Sequence, residues 1–458
     1  MEQGLTKKYG LITAIAMVVG IVIGSGVFFK AEKILVATGG NLPLGILGWL
    51  IGGVIMVACA YTFAIMATRY EYVNGIVDYA EATLGKNYAY YVGWFMAMIY
   101  YPTLTSVLAW VSARFVGVLL GWDITGGETM VIAGFFLIAS FALNTLSPVL
   151  AGKFQVSTTI IKLIPLSLMA IIGTIVGLTN GMLIENFTTI VEKVDPVTAL
   201  FTAVVATAFA YEGWIIATSI NAELKDSKKN LPKALVIGSL IVITVYIFYY
   251  IGLSGAVSNE VMMAGGQEGA KIAFSTIFSN IGGTLLFVFI IISCLGTLNG
   301  LMLGCTRGLY SIAARNEGPK VEVMSQVDKS TNMPSNSAIF GVLLSGVWLV
   351  YFYGANLTEP WFGTVGIFNF SFDSSEIPIV TIYALYIPIF LMMMKKEKDL
   401  SVWKRFIVPF IAVIGSIFMV VAAFFSHGVE RILGYLAIFA VVMIIGVFVK
   451  GKKGKDVL

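Results

Sequence analysis

Long apolar runs without charged residues recur along this sequence, and they constrain its fold more than any other feature. A helix needs roughly 20 consecutive apolar residues to cross the hydrocarbon core of a bilayer. Because lipid offers the backbone no hydrogen-bond partner, each such run is predicted to be an α-helix. About twelve runs qualify, and they cover residues 11–29, 42–68, 88–112, 130–150, 163–181, 196–211, 234–257, 272–306, 335–353, 377–394, 406–426 and 432–449.

The composition favours a membrane protein over a soluble one. Of the 458 residues, 58% are hydrophobic and 12% are charged, whereas about a quarter of the residues in soluble domains are charged. A net charge of +4 is too small to suggest a nucleic-acid partner. The first run is too long and too interrupted by glycine for a cleaved signal peptide. We therefore predict one all-α membrane domain over residues 1–458, with the lipid bilayer around it.

Neither a cofactor nor an enzymatic activity is expected. Cys59, Cys294 and Cys305 lie inside apolar runs without close spacing, which supports neither a disulfide framework nor a metal site. A membrane-embedded enzyme needs a nucleophile–base pair or a metal cluster, and the predicted spans carry no such pairing. The sequence also lacks a phosphate-binding loop that would drive a primary pump.

Basic residues predict the orientation of the chain. With the N-terminus inside, 22 of the 29 Lys and Arg residues fall on the cytoplasmic side and 6 on the outer side. Lys162 alone falls within the membrane. Short loops rich in Lys and Arg stay in the cytoplasm, so both termini are expected there, in a multi-pass protein of the cell membrane. The single histidine, His427, falls in an outer loop and is interpreted as an interfacial side chain.

Two predicted spans are interrupted at corresponding positions. The first break (residues 23–26) contains Gly-Ser-Gly, and the second break (residues 209–213), five spans later, contains Glu212 followed by glycine. Each glycine inside a helix costs about 1 kcal/mol relative to alanine, and a charge at membrane depth is usually functional. Glycines also permit close helix packing, but paired breaks are typical of transporters with a binding site at the bilayer midplane. They also disfavour a channel or a receptor.

Interrupted helices have a direct chemical consequence. An unwound turn frees N–H groups at the start of one half-helix and C=O groups at the end of the other. The positive helix end attracts a carboxylate, and the negative end attracts an ammonium. A zwitterionic α-amino acid carries both groups at a fixed spacing, which makes it the predicted ligand of the two breaks.

Four motifs recur in an order that is similar to that of a known family. They are GSGVF at residues 24–28, TTIIKLIP at 158–165, FAYEGW at 209–214 and GTLNG at 296–300. Together they resemble the L-amino-acid transporter family of the amino acid–polyamine–organocation superfamily, over essentially the whole chain. Bacterial members of this family include serine/threonine and alanine/serine/cysteine exchangers. The resemblance implies a LeuT-like fold, with inverted five-helix repeats at 11–184 and 196–396 and two extra helices at 403–450.

The resemblance also implies the residues of a substrate site. Backbone of the first break would hold the substrate carboxylate and part of its amine, and carbonyls of the second break would complete the amine site. The side chain of Phe209 would act as a gate. Glu212 departs from the small residue or Asp that the family often carries there, which leaves the exact substrate open. The implied substrate-binding residues are Ile23, Gly24, Ser25, Gly26, Phe209, Ala210, Glu212 and Gly213.

Lys162 is the second ionisable side chain that the sequence places in the membrane. Sodium-coupled proteins with a LeuT-like fold hold Na⁺ between the first and eighth spans, and an ammonium there would supply the same charge. We expect carbonyls of the first break and the hydroxyl of Ser293 to bind it. The alternative is a lysine that reaches the lipid headgroups. Tyr246 is expected to close the pocket near the second break, and Asn299 to face the same region; both are assigned to coupling or gating.

The predicted function is sodium-independent exchange of small neutral L-amino acids, such as Ala, Ser, Thr or Cys, by alternating access. Apolar residues around the first break and Trp214 beyond the second leave space for a small side chain only. Proton-coupled symport, with Lys162 or Glu212 as the proton carrier, remains an alternative, as does exchange of larger or cationic amino acids. Eukaryotic relatives pair with a heavy chain through a cysteine between spans three and four. Residues 120–130 contain none, so a disulfide-linked partner is not expected.

Overall fold

The computed structural model describes residues 5–450, except for the side chains of Phe29, Phe209, Gln267 and Ser426. Within this range, ten helices are long and apolar enough to cross a membrane. Two shorter apolar helices, Leu11–Val22 and Pro196–Ala208, lie where the first and sixth spans are predicted. Together they account for the twelve spans that the sequence predicts, and the two that are too short are the interrupted ones.

The spans are numbered in chain order. Span 1 consists of the half-helices Leu11–Val22 and Gly26–Ala37, and span 6 consists of Pro196–Ala210 and the 3₁₀-helix Trp214–Glu223. Spans 2 to 5 are Leu42–Ala67, Lys86–Leu120, Gly127–Leu146 and Pro148–Thr179. Spans 7 to 12 are Ser227–Ala256, Gly269–Ala313, Ser335–Leu357, Ile377–Lys396, Trp403–Phe425 and Val429–Val449.

Short elements complete the structure. Single π-helical turns interrupt spans 3 and 5 at Met96–Tyr100 and Met169–Gly173, and similar turns end span 9 at Tyr353–Leu357 and begin span 11 at Trp403–Ile407. The connections carry the helices Gly75–Leu84, Met182–Thr188, Asn259–Ala264, Gly266–Glu268 and Val321–Met324. A two-stranded antiparallel hairpin, Thr364–Val365 with Phe368–Asn369, lies between spans 9 and 10. Span 8 is kinked near its start, at Phe278 and Ser279.

Span 5 begins earlier than its apolar run indicates. The sequence predicts a start at residue 163, but the helix begins at Pro148, immediately after span 4 ends at Leu146. Proline suits the first helical position because its missing N–H has no partner there anyway. The first half of span 5 carries polar side chains that are buried against other spans rather than exposed to lipid. Lys162 therefore lies near the middle of span 5.

Both predicted breaks are present. Span 1 stops being helical at Ile23, whose φ and ψ are −75° and 86°, and becomes helical again at Gly26. In span 6, Gly213 adopts φ 103°, a conformation that glycine reaches at little cost. Beyond Gly213 the chain continues as a 3₁₀-helix.

The interrupted spans lie at the centre of the bundle. The first half of span 1 packs against spans 5, 7 and 8 and against the 3₁₀ half of span 6. Span 11 packs on the outside, against spans 2, 6 and 10, and span 12 contacts span 11, the start of span 3 and the hairpin. This arrangement surrounds the two breaks with protein, where irregular backbone is tolerated at membrane depth.

Candidate functional site

A small cavity lies between the two breaks. Its volume is about 30 Å³, which is room for roughly one or two water molecules. Four apolar side chains from spans 3, 8 and 10 form most of the wall that faces the breaks. The lining residues are Ile21, Val22, Gly24, Ser25, Gly26, Leu104, Leu108, Glu212, Gly213, Thr297, Leu301 and Ile379.

The half-helices present opposite ends near this cavity. The second half of span 1 begins at Gly26, and within the described chain its N-cap residue, Ser25, makes no side-chain capping hydrogen bond. The N–H groups of its first turn, together with the positive end of the helix dipole, favour an anion there. The first half of span 6 ends at Ala210, so its terminal carbonyls and negative dipole end favour a cation. The geometry therefore suits a zwitterion.

Lys162 is fully buried and binds the backbone of the first break. The carbonyls of Gly20 and Ile23 accept hydrogen bonds from its ammonium at 2.7 and 2.5 Å. A third bond of 2.9 Å goes to the carbonyl of Ser293, and the hydroxyl of Thr297 lies at 3.4 Å. The alternative of a lysine that reaches the headgroups is incompatible with this position. The expected partner Ser293 is present, but it contributes its carbonyl rather than its hydroxyl.

Two hydroxyls of span 8 bind the same stretch of span 1. Ser293 Oγ donates to the carbonyls of Ile23 and Gly24 at 3.1 and 3.2 Å. Thr297 Oγ1 donates to the carbonyls of Gly20 and Ile23 at 3.0 and 3.2 Å. Thr297 was not predicted, although it follows Ser293 by four residues and therefore lies on the same helix face.

Tyr246 connects the two breaks. Its hydroxyl lies 3.0 Å from the carbonyl of Val22 and 2.9 Å from that of Ala210, the last residues of the two half-helices. The rings of Tyr211 and Trp49 pack against Tyr246, with centroids at 5.2 and 5.3 Å. Tyr246 thus lies beside both breaks.

Glu212 is buried, with 6% of its surface exposed. Tyr100 of span 3 donates a hydrogen bond to its Oε1 atom, and Tyr383 of span 10 lies beside the same carboxylate. The other oxygen, Oε2, has no hydrogen-bond partner among residues 5–450.

Two other residues that the sequence assigns to the site, Asn299 and Phe209, are not seen to line the cavity. Asn299 faces spans 4 and 5 rather than the cavity: its amide donates to Gln155 Oε1 at 2.9 Å and accepts from Asn144 at 3.0 Å. On span 8, Asn299 follows Thr297 by two residues and therefore lies on a different face of the helix. The backbone of Phe209 belongs to the helix Pro196–Ala210, but its side chain, the expected gate, lies outside the described part of the chain.

A buried ion cluster, the Glu223 cluster, closes the end of the bundle that holds the start of span 1. The carboxylate of Glu223 pairs with Lys8 at 2.7 Å and with Arg307. The backbone N–H groups of Lys8 and Tyr9 also donate to the carbonyl of Glu223, at 2.8 and 3.0 Å. Burial lowers the pKa of Lys8 from its usual value, and Glu223 opposes this shift only in part. The cluster joins span 1 to spans 6 and 8.

A second cluster, the Glu376 cluster, lies at the opposite end. Glu376 pairs with Lys30 of span 1 at 2.6 Å and with His427 at 3.3 Å. Burial by itself raises the pKa of Glu376, but Lys30 and His427 outweigh it and hold this pKa well below its usual range. The interfacial interpretation of His427 is therefore incomplete, because the imidazole contacts a carboxylate that also binds span 1.

Comparison with known proteins agrees with this geometry. Residues 9–448 match the family model described as amino acid permease. The serine/threonine exchanger SteT of Bacillus subtilis (strain 168) is 30% identical, over 91% of each chain. The large neutral amino acids transporter small subunit 2 of Mus musculus is 26% identical, over 72% of this chain and 62% of its own. The solved structure of MhsT in complex with L-phenylalanine has a TM-score of 0.58 at 16% identity, and covers 91% of this chain and 100% of that one. The last match shows a LeuT-like fold.

Proposed function

Since this chain belongs to the amino acid permease family, and is a multi-pass membrane transporter of amino acids rather than an enzyme, we propose that it exchanges small neutral L-amino acids without sodium. Both termini face the cytoplasm in this proposal, and the chain lies in the cell membrane. Residues 11–184 and 196–396 form the two inverted repeats, and residues 403–450 form the extra helices. The single observation that carries the proposal is the ammonium of Lys162 on the carbonyls of the first break.

The substrate zwitterion lies between the two breaks. The start of the second half of span 1 receives its carboxylate, and the carbonyl end at Ala210 receives its ammonium. Ile23, Gly24, Ser25 and Gly26 supply the first wall, and Phe209, Ala210, Glu212 and Gly213 supply the second. Such backbone contacts are common to every α-amino acid, so the remaining wall of the cavity sets the side-chain preference.

Lys162 makes sodium unnecessary. A Na⁺ ion between spans 1 and 8 would supply one positive charge to the carbonyls of the break, and the ammonium already does so. Because this charge is covalently attached, it does not leave with the substrate and couples no ion gradient to transport. Exchange then requires a substrate on each side, so that only the loaded transporter changes conformation at a useful rate.

The cavity wall supports a small neutral substrate. Leu104, Leu108, Leu301 and Ile379 face the breaks, and the cavity volume is about 30 Å³. A long or charged side chain would have to displace these residues, whereas a methyl or hydroxymethyl group requires little movement. The serine/threonine exchanger of Bacillus subtilis, by its description, handles substrates of this size.

Alternating access uses the two ion clusters as gates. The Glu223 cluster ties span 1 to spans 6 and 8 at one end, and the Glu376 cluster ties it to spans 10 and 11 at the other. Opening either end breaks one set of contacts and leaves the other intact. Both sets include span 1, which is the element expected to move.

Uptake into proteoliposomes tests the proposal. Purified protein is reconstituted with internal serine or with buffer alone, and entry of radiolabelled serine is followed in sodium or choline buffer. We expect entry to require internal amino acid and to be the same in both buffers. Strong entry into empty liposomes under a sodium gradient would contradict the proposal. Entry into empty liposomes under a proton gradient would instead support symport, with Glu212 or Lys162 as the proton carrier.

A further inference from the structure

We propose that Glu212 selects substrates that carry a hydrogen-bond donor on the first side-chain carbon, as the hydroxyls of serine and threonine do. The proposal rests on the proposed function, because it requires the substrate to lie between the two breaks. It adds a residue-level cause of selectivity: the free oxygen of this carboxylate accepts the hydrogen bond of the substrate side chain.

The first observation is the uneven pairing of the carboxylate. Tyr100 donates a hydrogen bond to Oε1 of Glu212, and the side chain of Tyr383 lies beside the same carboxylate. Within the described residues, Oε2 has no hydrogen-bond partner although the residue is 6% exposed. Buried polar atoms are usually paired, and this unpaired oxygen belongs to a residue that lines the cavity between the two breaks.

The second observation is that other buried carboxylates of this protein form ion pairs with Lys or Arg side chains. Asp78 binds Arg315, Glu223 binds Lys8 and Arg307, and Glu397 binds Arg69. Glu212 forms no ion pair with any Lys or Arg in the range 5–450. No ion pair with a basic residue therefore neutralises this carboxylate, and its unpaired oxygen is left available to a ligand.

The third observation identifies the chemical class of the ligand. Glu212 lines the cavity, and the walls opposite are formed by Leu104, Leu108, Leu301 and Ile379. Among amino acids, those whose side chain extends only one or two atoms from the α-carbon require the least displacement of these walls, and a donor group on such a side chain would meet Oε2. The ammonium of the substrate is provided for by the carbonyl end of the span 6 helix at Ala210. A short side-chain hydroxyl is therefore the group that the orphan oxygen fits best.

Isosteric pairs of amino acids test the inference. Serine is compared with L-2-aminobutyrate, and threonine with L-valine, because each pair differs by the replacement of a hydroxyl with a methyl group. Apparent affinity is measured by competition against radiolabelled serine, on the purified full-length transporter. We expect the wild type to prefer the hydroxyl compound by about 10- to 100-fold, the range for a hydrogen bond to a charged group. A wild type without this preference overturns the inference, whether or not any variant folds.

The variant Glu212→Met keeps a similar volume and removes both acceptor oxygens. We expect its preference for serine over 2-aminobutyrate to fall to about twofold or less, while 2-aminobutyrate still binds. Glu185→Met, which replaces an exposed carboxylate in the helix Met182–Thr188, serves as the control and should keep the wild-type ratio. Equal loss of both compounds in Glu212→Met would place the carboxylate at the substrate ammonium, and would overturn the inference. So would stronger competition by lysine or arginine than by serine in the wild type.

These outcomes are independent of the transport mechanism. Competition for binding does not depend on whether transport is exchange or symport. If the wild type takes up serine into empty liposomes, the exchange proposal is wrong, but the ratio of affinities for serine and 2-aminobutyrate still tests the role of Glu212. Conversely, a protein that exchanges amino acids with equal affinity for serine and 2-aminobutyrate would end only the inference about Glu212.

Discussion

Lys162 and Glu212 are both buried ionisable side chains next to a break, but the protein pairs them to very different degrees. The ammonium of Lys162 has three carbonyls within 2.9 Å and a hydroxyl at 3.4 Å. Glu212 receives a hydrogen bond on one oxygen, and among residues 5–450 the other oxygen has none. The first group is fully satisfied by the protein, and the second is not.

This difference separates two roles that the sequence alone could not distinguish. A fully paired charge gains nothing from a ligand, so Lys162 is suited to hold span 1 against spans 5 and 8 and to bias the movement of its first half. An orphan acceptor gains a hydrogen bond only when a ligand supplies it. Lys162 should therefore govern the rate of exchange, and Glu212 the choice of substrate.

The largest effect is expected for Lys162→Ala. Loss of the ammonium removes charge-assisted hydrogen bonds of about 1.5–3 kcal/mol from the first break, which corresponds to roughly one to two decades in a conformational equilibrium. Exchange of serine should therefore slow by about 10- to 100-fold, while apparent affinity changes less because backbone groups hold the zwitterion. Lys153→Ala is the matched control, because Lys153 is an exposed lysine of the same helix. A wild-type rate in Lys162→Ala, with intact expression, would mean that the ammonium has no part in transport.

The free energy of unfolding should also respond differently to substitution of Lys162 and of Glu212. In Lys162→Ala three carbonyls lose their donor, which should lower the free energy of unfolding by about 1.5–3 kcal/mol. Glu212→Gln removes a charge that has no basic partner in the described chain and should leave stability unchanged or slightly raised. Thermal unfolding of the purified proteins in one detergent measures both changes. If Glu212→Gln lost more stability than Lys162→Ala, Glu212 and not Lys162 would be the residue that the folded protein depends on, which would contradict this prediction.

A smaller effect is expected for Tyr246→Phe. The hydroxyl is shared between the carbonyls that end the two half-helices, and its removal loses a neutral hydrogen bond of about 0.5–1.5 kcal/mol. Exchange should slow by about two- to tenfold for serine and 2-aminobutyrate alike, because Tyr246 contacts backbone and not the substrate side chain. Initial rates for both compounds measure this, and a rate loss confined to one of them would assign Tyr246 to selectivity instead.

Ser293→Ala should have the smallest effect. Its hydroxyl donates to the carbonyls of Ile23 and Gly24 at 3.1 and 3.2 Å, but Lys162 and Thr297 still bind Ile23 after the hydroxyl is lost. A decrease of about threefold or less in exchange rate is expected, at the lower end of the range for a neutral hydrogen bond. Initial rates beside those of Lys162→Ala provide the test, and a decrease as large as that of Lys162→Ala would show that the hydroxyl, not the ammonium, stabilises the break.

Features that depend on residues close together in the sequence were predictable. The positions of both breaks followed from glycine and a carboxylate within apolar runs, and the location of Lys162 followed from the resemblance to a family. The start of span 5 was not predictable from hydropathy, because its buried polar residues face other spans and not lipid.

Contacts between residues that are distant in the sequence could not be predicted either, because they depend on how the spans pack against one another. Glu223 and Arg307 are 84 positions apart, and His427 meets Glu376 only because spans 10 and 11 are adjacent. Similarly, Lys162 binds the carbonyl of Ser293 rather than its hydroxyl, a choice set by side-chain rotamers within the packed bundle. The orphan oxygen of Glu212 also depends on which tyrosines surround it.

The most direct test of the separate roles of Lys162 and Glu212 measures exchange rate and substrate selectivity together. Initial exchange rates of serine and 2-aminobutyrate are determined for the wild type, Lys162→Ala and Glu212→Met in the same proteoliposomes. We expect Lys162→Ala to lower both rates by a similar factor and keep their ratio, and Glu212→Met to change the ratio. A changed ratio in Lys162→Ala, or an unchanged ratio in Glu212→Met, would contradict the division of roles between the paired and the unpaired charge.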